Sequence, residues 1–263
     1  MTTATAVKER PIIFGGPMVA AVLAGTKTQT RRVVKPAPGN SWYPEVGRYH
    51  PTVVDRHGDM YPGDEVFGAS DEFEGRVCPY GKPGDRLWLR EGHKVEPTPG
   101  CTFGDAIMGR KLSVFYRDGE RRDIDNGWSA SGPDLHVHGV HHDFPADRYG
   151  IWRPSIHMTR WASRILLEIV SVRVERLQDI SEADAEAEGL ARVGFTKMLH
   201  FPLFSVDPKA DPDRHYHPSD DCTCYDSAYE CYRALWDSIN AKRGHGWDAN
   251  CWVWVITFKV VTP

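Results

Sequence analysis

Residues 164–174 read RILLEIVSVRV, and this stretch predicts a long β-strand. Side chains alternate between the two faces of a strand, so Ile165, Leu167 and Ile169 share one face. Glu168 falls on the opposite face, together with two further apolar residues. The pattern therefore predicts a strand that buries at least one face against the rest of the molecule.

Two helices and a closing strand are predicted on the C-terminal side of this strand. Ser181 precedes Asp184 by three residues, as in a capping box, and predicts a short helix that runs through Glu188. Ser227 caps a longer helix with one apolar stripe. The residues of that stripe are Ala228, Cys231, Tyr232, Leu235, Trp236 and Ile239. Residues 251–261, CWVWVITFKVV, predict a strand that is buried on both faces.

The N-terminal side of the chain supplies a strand, a helix and a polar segment. Residues 11–14 predict a short strand, and the next helix is predicted to begin at Pro17 and to end at Gly25. The polar sequence TKTQTRR, residues 26–32, follows that helix directly. Residues 86–91 predict another strand, so the regular elements lie in several separate parts of the chain.

Three segments between these elements have weak periodicity and are predicted to be insertions. They comprise residues 36–82, 92–150 and 191–224. The second contains KLSVFYRDGERRDI, which predicts a β-hairpin because its Asp118-Gly119 pair favours a two-residue turn. The other two insertions are expected to be irregular or to hold only short strands.

The order of the regular elements is β-α-β-β-α-α-β, which predicts the fold class. Strands are short, helices are few and no βαβ rhythm is present, so a small barrel or another α+β fold is favoured over a doubly wound sheet. No segment has the composition of an interdomain linker. A single domain is therefore predicted over residues 11–261.

Composition and charge limit the functions and the cellular locations that can be expected. The 263 residues carry a net charge of −4, so binding to nucleic acid would need a local basic patch. No apolar run reaches the ~18 residues of a membrane span, and the N-terminus lacks the apolar core of a secretory signal. A cytoplasmic protein with reduced cysteines and no membrane partner is therefore expected.

Four motifs in this order resemble the ASCH domain family, which belongs to the PUA-like superfamily. They are GTKTQTRR at 25–32, GDRLWLRE at 84–91, DISEADAEAEG at 179–189 and WVWVITFK at 252–259. The match covers 11–35, 83–91, 151–190 and 225–261, and it is similar to the long, prophage-encoded members that carry insertions. The resemblance implies an α+β fold built on a small PUA-like β-barrel, with flanking helices and large irregular insertions.

The same resemblance implies a function on a nucleoside or a nucleic acid. Small ASCH members include amidohydrolases that remove the acetyl group from N(4)-acetylcytidine with a Lys, a Thr and a Glu. Those residues correspond here to Lys27, Thr30 and Glu188, with Arg32 as the trailing arginine of the motif. Other members are proposed RNA binders or ribonucleases, so RNA or single-stranded DNA binding without turnover and RNA cleavage remain the alternatives.

The three candidate catalytic residues have side chains that suit amide hydrolysis. Glu188 can act as a general base, and Lys27 can stabilise an oxyanion or serve as a base if burial and neighbouring arginines lower its pKa. Thr30 can act as a nucleophile or orient a water, and no cofactor is required. The alternative is that residues 27–32 form a solvated basic segment and that Glu188 is a surface acid on a short helix.

A second set of residues is predicted to bind the substrate or a nucleic-acid strand. Guanidinium and indole planes stack on bases in proteins that bind single strands. The predicted binding residues are Arg31, Arg32, Arg90, Glu91, Arg160 and Trp161. For Trp161, packing against the protein core is an equally open interpretation.

One polar insertion contains a combination of residues that suggests a metal. His215 and His217 lie close to Cys222 and Cys224, and reduced Cys beside His is typical of a structural zinc site. The single residue between the members of each pair is tighter spacing than in standard zinc fingers. A structural zinc bound by these four residues is therefore an alternative to a metal-free polar loop.

Overall fold

The computed structural model describes residues 7–39, 41–100, 111–125, 149–195, 202–205 and 225–261. The chain divides into two compact units, each of which is described by itself. The first unit comprises Met1–Arg10, Pro17–Leu87 and Leu166–Thr262. The second comprises Pro11–Gly16 and Trp88–Ile165, with the terminal Pro263.

Strands dominate the described residues, and helices are few. In chain order the strands are β1 (Glu9–Ile13), β2 (Gln29–Val33), β3 (Glu45–Tyr49), β4 (Thr52–Val54), β5 (Met60–Pro62), β6 (Val66–Ser70), β7 (Gly75–Val77), β8 (Arg86–Arg90), β9 (His93–Pro97), β10 (Lys111–Tyr116), β11 (Arg121–Asp125), β12 (Leu166–Arg176), β13 (Ala191–Phe195), β14 (Pro202–Ser205) and β15 (Trp252–Val261). The α-helices are α1 (Gly16–Leu23), α2 (Glu182–Ala187) and α3 (Ala228–Asn240).

Strands β12, β15 and β2 of the first unit are neighbours in a five-stranded sheet with the order β1-β8-β12-β15-β2. Its longest pairing joins β12 to β15 in antiparallel register, with Val172 opposite Ile256. On the far side of β15, the edge strand β2 pairs antiparallel, with Thr30 opposite Ile256 and Arg31 opposite Val255. The predicted strand of residues 164–174 and the closing strand are therefore both confirmed as strands, and the structure pairs them in one sheet.

The core of the first unit forms where α3 packs against this sheet. Tyr232 and Trp236 of α3 are buried together with Val253 and Val255 of β15 and with Leu177 after β12. This explains the apolar stripe of the helix, because the side chains that repeat on one helical face are those that leave water. The opposite face of α3 remains accessible to solvent.

Both predicted helix caps are present. The side chain of Ser181 accepts a hydrogen bond from the backbone nitrogen of Asp184, and that of Ser227 accepts one from Glu230. Such bonds satisfy backbone donors that have no partner within the first helical turn. Glu188 ends α2, as the sequence predicted.

The insertions contain more regular structure than the sequence indicated. Within 36–82, β3, β6 and β7 form a three-stranded sheet and β4 pairs with β5. The described part of 191–224 contains the pairing of β13 with β14. These strands are only three to five residues long, which is too short for the alternation of apolar and polar residues to stand out in the sequence.

The second unit contains the predicted hairpin. Strands β9, β10 and β11 form an antiparallel sheet, and Tyr116 and Glu120 flank the turn through a backbone hydrogen bond. Val95, Leu112 and Val114 are fully buried in its core. The hairpin is therefore confirmed, but its loop has three residues, Arg117 to Gly119, and not the two that the Asp-Gly pair predicted.

The mixed α+β class is confirmed, with strands predominating. Over the described residues, β1 and β2 are the edges of the five-stranded sheet, so the pairings form an open sheet and not the closed barrel that was expected. Among the described helices, none is long and apolar enough to cross a membrane.

Candidate functional site

The candidate site lies in the first unit, where the segment after α1 meets the end of α2. Gly25 ends α1 in a left-handed conformation, with φ of +77°. The backbone nitrogen of Lys27 then donates to the carbonyl of Ala21, which turns the chain toward β2. Lys27 forms an isolated β-bridge with Glu188, so the backbone itself brings these two residues together.

Lys27 and Glu188 form a buried ion pair across 161 residues of sequence. The Nζ atom of Lys27 donates to Glu188 Oε2 at 2.8 Å and to the Glu188 backbone carbonyl at 2.7 Å. Lys27 is only 3% exposed and Glu188 only 4%. These residues are therefore neither a solvated basic segment nor a surface acid, which were the alternatives left open by the sequence.

Arg31 joins the same network from β2. Its Nη1 donates to the other carboxylate oxygen of Glu188 at 3.3 Å, while its Nη2 donates to Glu175 at 2.5 Å and to Asp184 at 3.2 Å. The Arg31 side chain is completely buried. Three carboxylates thus neutralise one guanidinium, whose planar fork can serve several acceptors at once.

Arg173 and Gln29 complete the outer part of this network. Arg173 donates to Asp184 at 2.6 Å and to Glu175 at 3.0 Å, and Gln29 donates to the Asp184 backbone carbonyl at 3.0 Å. The contacts tie β2, β12 and α2 to one another. The orientation of Glu188 is therefore supported by neighbours that do not themselves touch it.

Burial sets the protonation properties of the pair. Loss of solvent lowers the pKa of Lys27, and the nearby Arg32 and Arg31 lower it further, against the opposing effect of Glu188. This direction is the one that the sequence analysis required of a lysine base. For Arg31, burial alone would lower the pKa, but the ion pairs with Glu188 and Glu175 outweigh it and the pKa rises.

Thr30 is buried but faces away from this network. It lies between Gln29 and Arg31 on β2, opposite Ile256. Because successive side chains of a strand point to opposite faces, Thr30 projects from the face opposite Gln29 and Arg31. The two residues beside it bind Asp184 and Glu188, so Lys27 and Glu188 are the members of the predicted triad that the structure joins directly.

A cavity of about 310 Å³ adjoins the network in the same unit. Arg31 lines it and also contacts Glu188, so Arg31 links the cavity to the ion pair. Arg32 lines it as well, together with Tyr80 and Trp236. Burial raises the pKa of Tyr80, against the opposing effect of the Arg32 guanidinium.

The remaining predicted binding residues lie in the second unit. Arg90 donates through Nε to the Ser155 carbonyl at 3.1 Å, and Glu91 is buried in a bidentate ion pair with Arg164 at 2.9 Å for each bond. Arg160 is exposed. The partly buried Trp161 packs against the core of the second unit, in agreement with its packing interpretation.

The predicted zinc ligands His215, His217, Cys222 and Cys224 lie outside the described residues. Within the described ranges, no group of three or more His, Cys, Asp or Glu side chains is arranged to hold a metal ion.

Several residues of the site were not identified from the sequence. Asp184 was recognised only as part of a helix cap, and Glu175 lay one residue beyond the predicted strand. Their acidic character carries no sequence signal for a partner 144 to 153 residues away. Comparisons with protein-family models, curated proteins and solved structures found no match to this chain.

Proposed function

We propose that this chain is a PUA-like protein of the ASCH type that hydrolyses the acyl amide of a modified cytosine nucleoside. One observation carries the proposal: Lys27 and Glu188, two of the three catalytic residues that the family resemblance nominated, form a buried pair at 2.8 Å. Nothing in the linear sequence requires residues 161 positions apart to meet. Their contact supports a shared role in proton transfer.

The chemistry of hydrolysis can be assigned to these two side chains. The carboxylate of Glu188 accepts a proton from water as the water oxygen attacks the acyl carbon. The C–N bond then breaks while the Lys27 ammonium donates a proton to the leaving nitrogen of the base. The products are a carboxylic acid and the free amine, and a lowered Lys27 pKa makes the ammonium a better proton donor.

The cavity beside Arg31 gives this proposal a place for the substrate. A substrate or water must approach a pair that is almost fully buried, and Arg31 is in contact both with the cavity and with Glu188. Movement of the Arg31 side chain would therefore connect the two. Thr30 has no step in this scheme, because strand alternation directs it away from the pair.

The test is turnover of N(4)-acetylcytidine and its deoxy form, with release of cytidine followed by chromatography. Glu188→Gln and Lys27→Met should each reduce kcat by about 100-fold or more, since general acid–base groups contribute about that much. Glu186→Gln is the matched control, because Glu186 lies on the same helix and is exposed. Circular dichroism establishes that each variant is folded before its rate is interpreted.

Two results would contradict the hydrolase proposal. One is a folded wild-type protein that turns over neither nucleoside. The other is turnover that survives in both Glu188→Gln and Lys27→Met.

Binding to single-stranded nucleic acid without turnover is the second candidate. It is favoured by the basic residues around the same cavity, which include Arg32, Lys35 and Arg243. Affinity for a labelled RNA strand should then fall steeply with added salt, because bound phosphates release counterions. Gel analysis of the same strand distinguishes binding from cleavage, which would indicate the ribonuclease alternative.

A further inference from the structure

The cavity of about 310 Å³ has a marked excess of positive charge. Four of its lining residues are Lys or Arg and one is His, and none of its described lining residues is acidic. The basic lining residues are Arg31, Arg32, Lys35, Arg243 and His245. The carboxylates that neutralise Arg31, those of Glu175, Asp184 and Glu188, do not line the cavity. The described lining of the cavity therefore offers an anion several cations and contains no carboxylate.

One buried donor in the cavity wall lacks an acceptor. The Nη atoms of Arg31 bind carboxylates, but its Nε has no hydrogen-bond partner among the described residues, although the side chain is completely buried. Buried polar groups in native proteins are nearly always paired, and an exception calls for an explanation such as an unfilled ligand position. Because Nε has almost no accessible surface, an oxyanion in the cavity would reach it only after a movement of the Arg31 side chain.

The rest of the wall suits a flat, partly apolar group. Tyr80 and Trp236 line the cavity together with Val33 and Ile239. The Trp236 indole nitrogen donates to the His245 backbone carbonyl at 2.7 Å, which fixes the ring beside the basic residues. The volume lies at the lower end of the roughly 300–1,000 Å³ found for small-ligand sites, so one small molecule fits better than a large one.

We propose that this cavity binds the phosphate ester of a nucleoside. Arg32, Lys35 and Arg243 contact the phosphate, and the nucleoside lies against Tyr80 and Trp236. The inference that a phosphate binds depends only on the charge of the cavity lining. The inference that this phosphate is esterified to a nucleoside rests on the proposed function. The expected ligand of this cavity is therefore a phosphorylated molecule.

The experiment is calorimetric titration of the full chain at low salt with cytidine 5′-monophosphate, cytidine and inorganic phosphate. Cytidine monophosphate should bind at least about tenfold more tightly than cytidine, because charge-assisted hydrogen bonds to phosphate are the strong ones. Lys35→Glu and Arg243→Glu should each lower the affinity for cytidine monophosphate and for inorganic phosphate by about tenfold. Both residues are exposed, so neither substitution disturbs the core.

Lys242→Glu provides the matched control. Lys242 is the exposed neighbour of Arg243 on the same 3-10 turn, Ala241–Arg243, and does not line the cavity. It should change the affinity less than twofold, because its charge lies outside the site and is screened. An equal loss in Lys242→Glu and Arg243→Glu would mean that overall charge is being measured, and would overturn the proposal. So would equal affinities for cytidine and its monophosphate, or no binding of either phosphate compound.

A short RNA strand without a terminal phosphate distinguishes the two sources of such an ester. Stronger binding of the strand, with the same sensitivity to Arg243→Glu, assigns the phosphate to a nucleic-acid backbone. Stronger binding of cytidine monophosphate assigns it to a free nucleotide, and both results support a phosphate site. Phosphate binding by a wild-type protein without nucleoside turnover would reject only the hydrolase proposal. Turnover without phosphate binding would reject only this inference.

Discussion

Glu188→Gln tests whether the buried network stabilises the fold in the way that its geometry indicates. The substitution keeps the size and shape of the side chain but removes its charge. Lys27 then loses its carboxylate at 2.8 Å and keeps the Glu188 backbone carbonyl, whereas Arg31 keeps Glu175 and Asp184. The change therefore removes the charged partner of one buried cation and creates no cavity.

The expected loss in the free energy of unfolding is about 3 kcal/mol. Removing one partner of a buried ion pair costs roughly 3–5 kcal/mol because the other charge stays desolvated. The lower end applies here for two reasons. Arg31 retains two carboxylates, and Lys27 can shed its proton because burial already lowers its pKa. The double variant Lys27→Met/Glu188→Gln should cost less than the two single losses together by about 1–3 kcal/mol.

Urea unfolding followed by far-ultraviolet circular dichroism measures these differences. Glu186→Gln is the control, since Glu186 and its partner Arg192 are both exposed and 3.5 Å apart. It should change the free energy of unfolding by no more than about 0.5 kcal/mol. Equal losses in Glu188→Gln and Glu186→Gln, or simple additivity in the double variant, would refute the view that Lys27 and Glu188 are coupled.

Two further predictions concern backbone geometry and pH. Gly189→Ala should cost at least about 1 kcal/mol more in urea unfolding than Gly244→Ala. Both glycines have positive φ, but a Cβ at Gly189 would lie 2.7 Å from the Lys27 Cβ and 2.9 Å from the Ala21 Cβ, whereas nothing lies within 4 Å at Gly244; equal losses would contradict the packing at Gly189. Burial lowers the pKa of His93, against the opposing bond to the Glu91 carbonyl, so the unfolded chain takes up a proton at higher pH than the folded protein. His93 should therefore lower the free energy of unfolding as the pH falls below its ordinary pKa of 6.5, by at most about 1.4 kcal/mol per pH unit. If His93→Gln showed the same pH dependence of urea unfolding as the wild type, this prediction would be wrong.

Local sequence signals predicted the regular elements well. The alternation in residues 164–174, the caps at Ser181 and Ser227 and the Asp118-Gly119 turn each correspond to an observed element. Such signals are reliable because hydrogen bonds and steric limits within a few residues determine caps, turns and strand alternation. Element type was therefore readable from short stretches of the chain.

The polar segment TKTQTRR is a stretch whose burial could not be predicted from local sequence patterns. Its charges are typical of a solvated segment, yet Gln29–Val33 forms a sheet edge, and Lys27 and Arg31 are among the most deeply buried charged residues described. They can be buried only because Glu175, Asp184 and Glu188 lie opposite them. Tertiary pairing thus overrides a local preference for solvent.

The sequence by itself located β12, β15, α2 and α3 to within about two residues, and it nominated Lys27, Thr30 and Glu188 through a family resemblance. Only the tertiary structure decided that Lys27 and Glu188 touch, that Arg31 joins them, and that Thr30 faces the other way. It also gathered Lys35, Tyr80, Trp236, Arg243 and His245 around one cavity. Local structure depends on neighbouring residues in the chain. A site of this kind depends on long-range packing, which brings together side chains that share no local pattern.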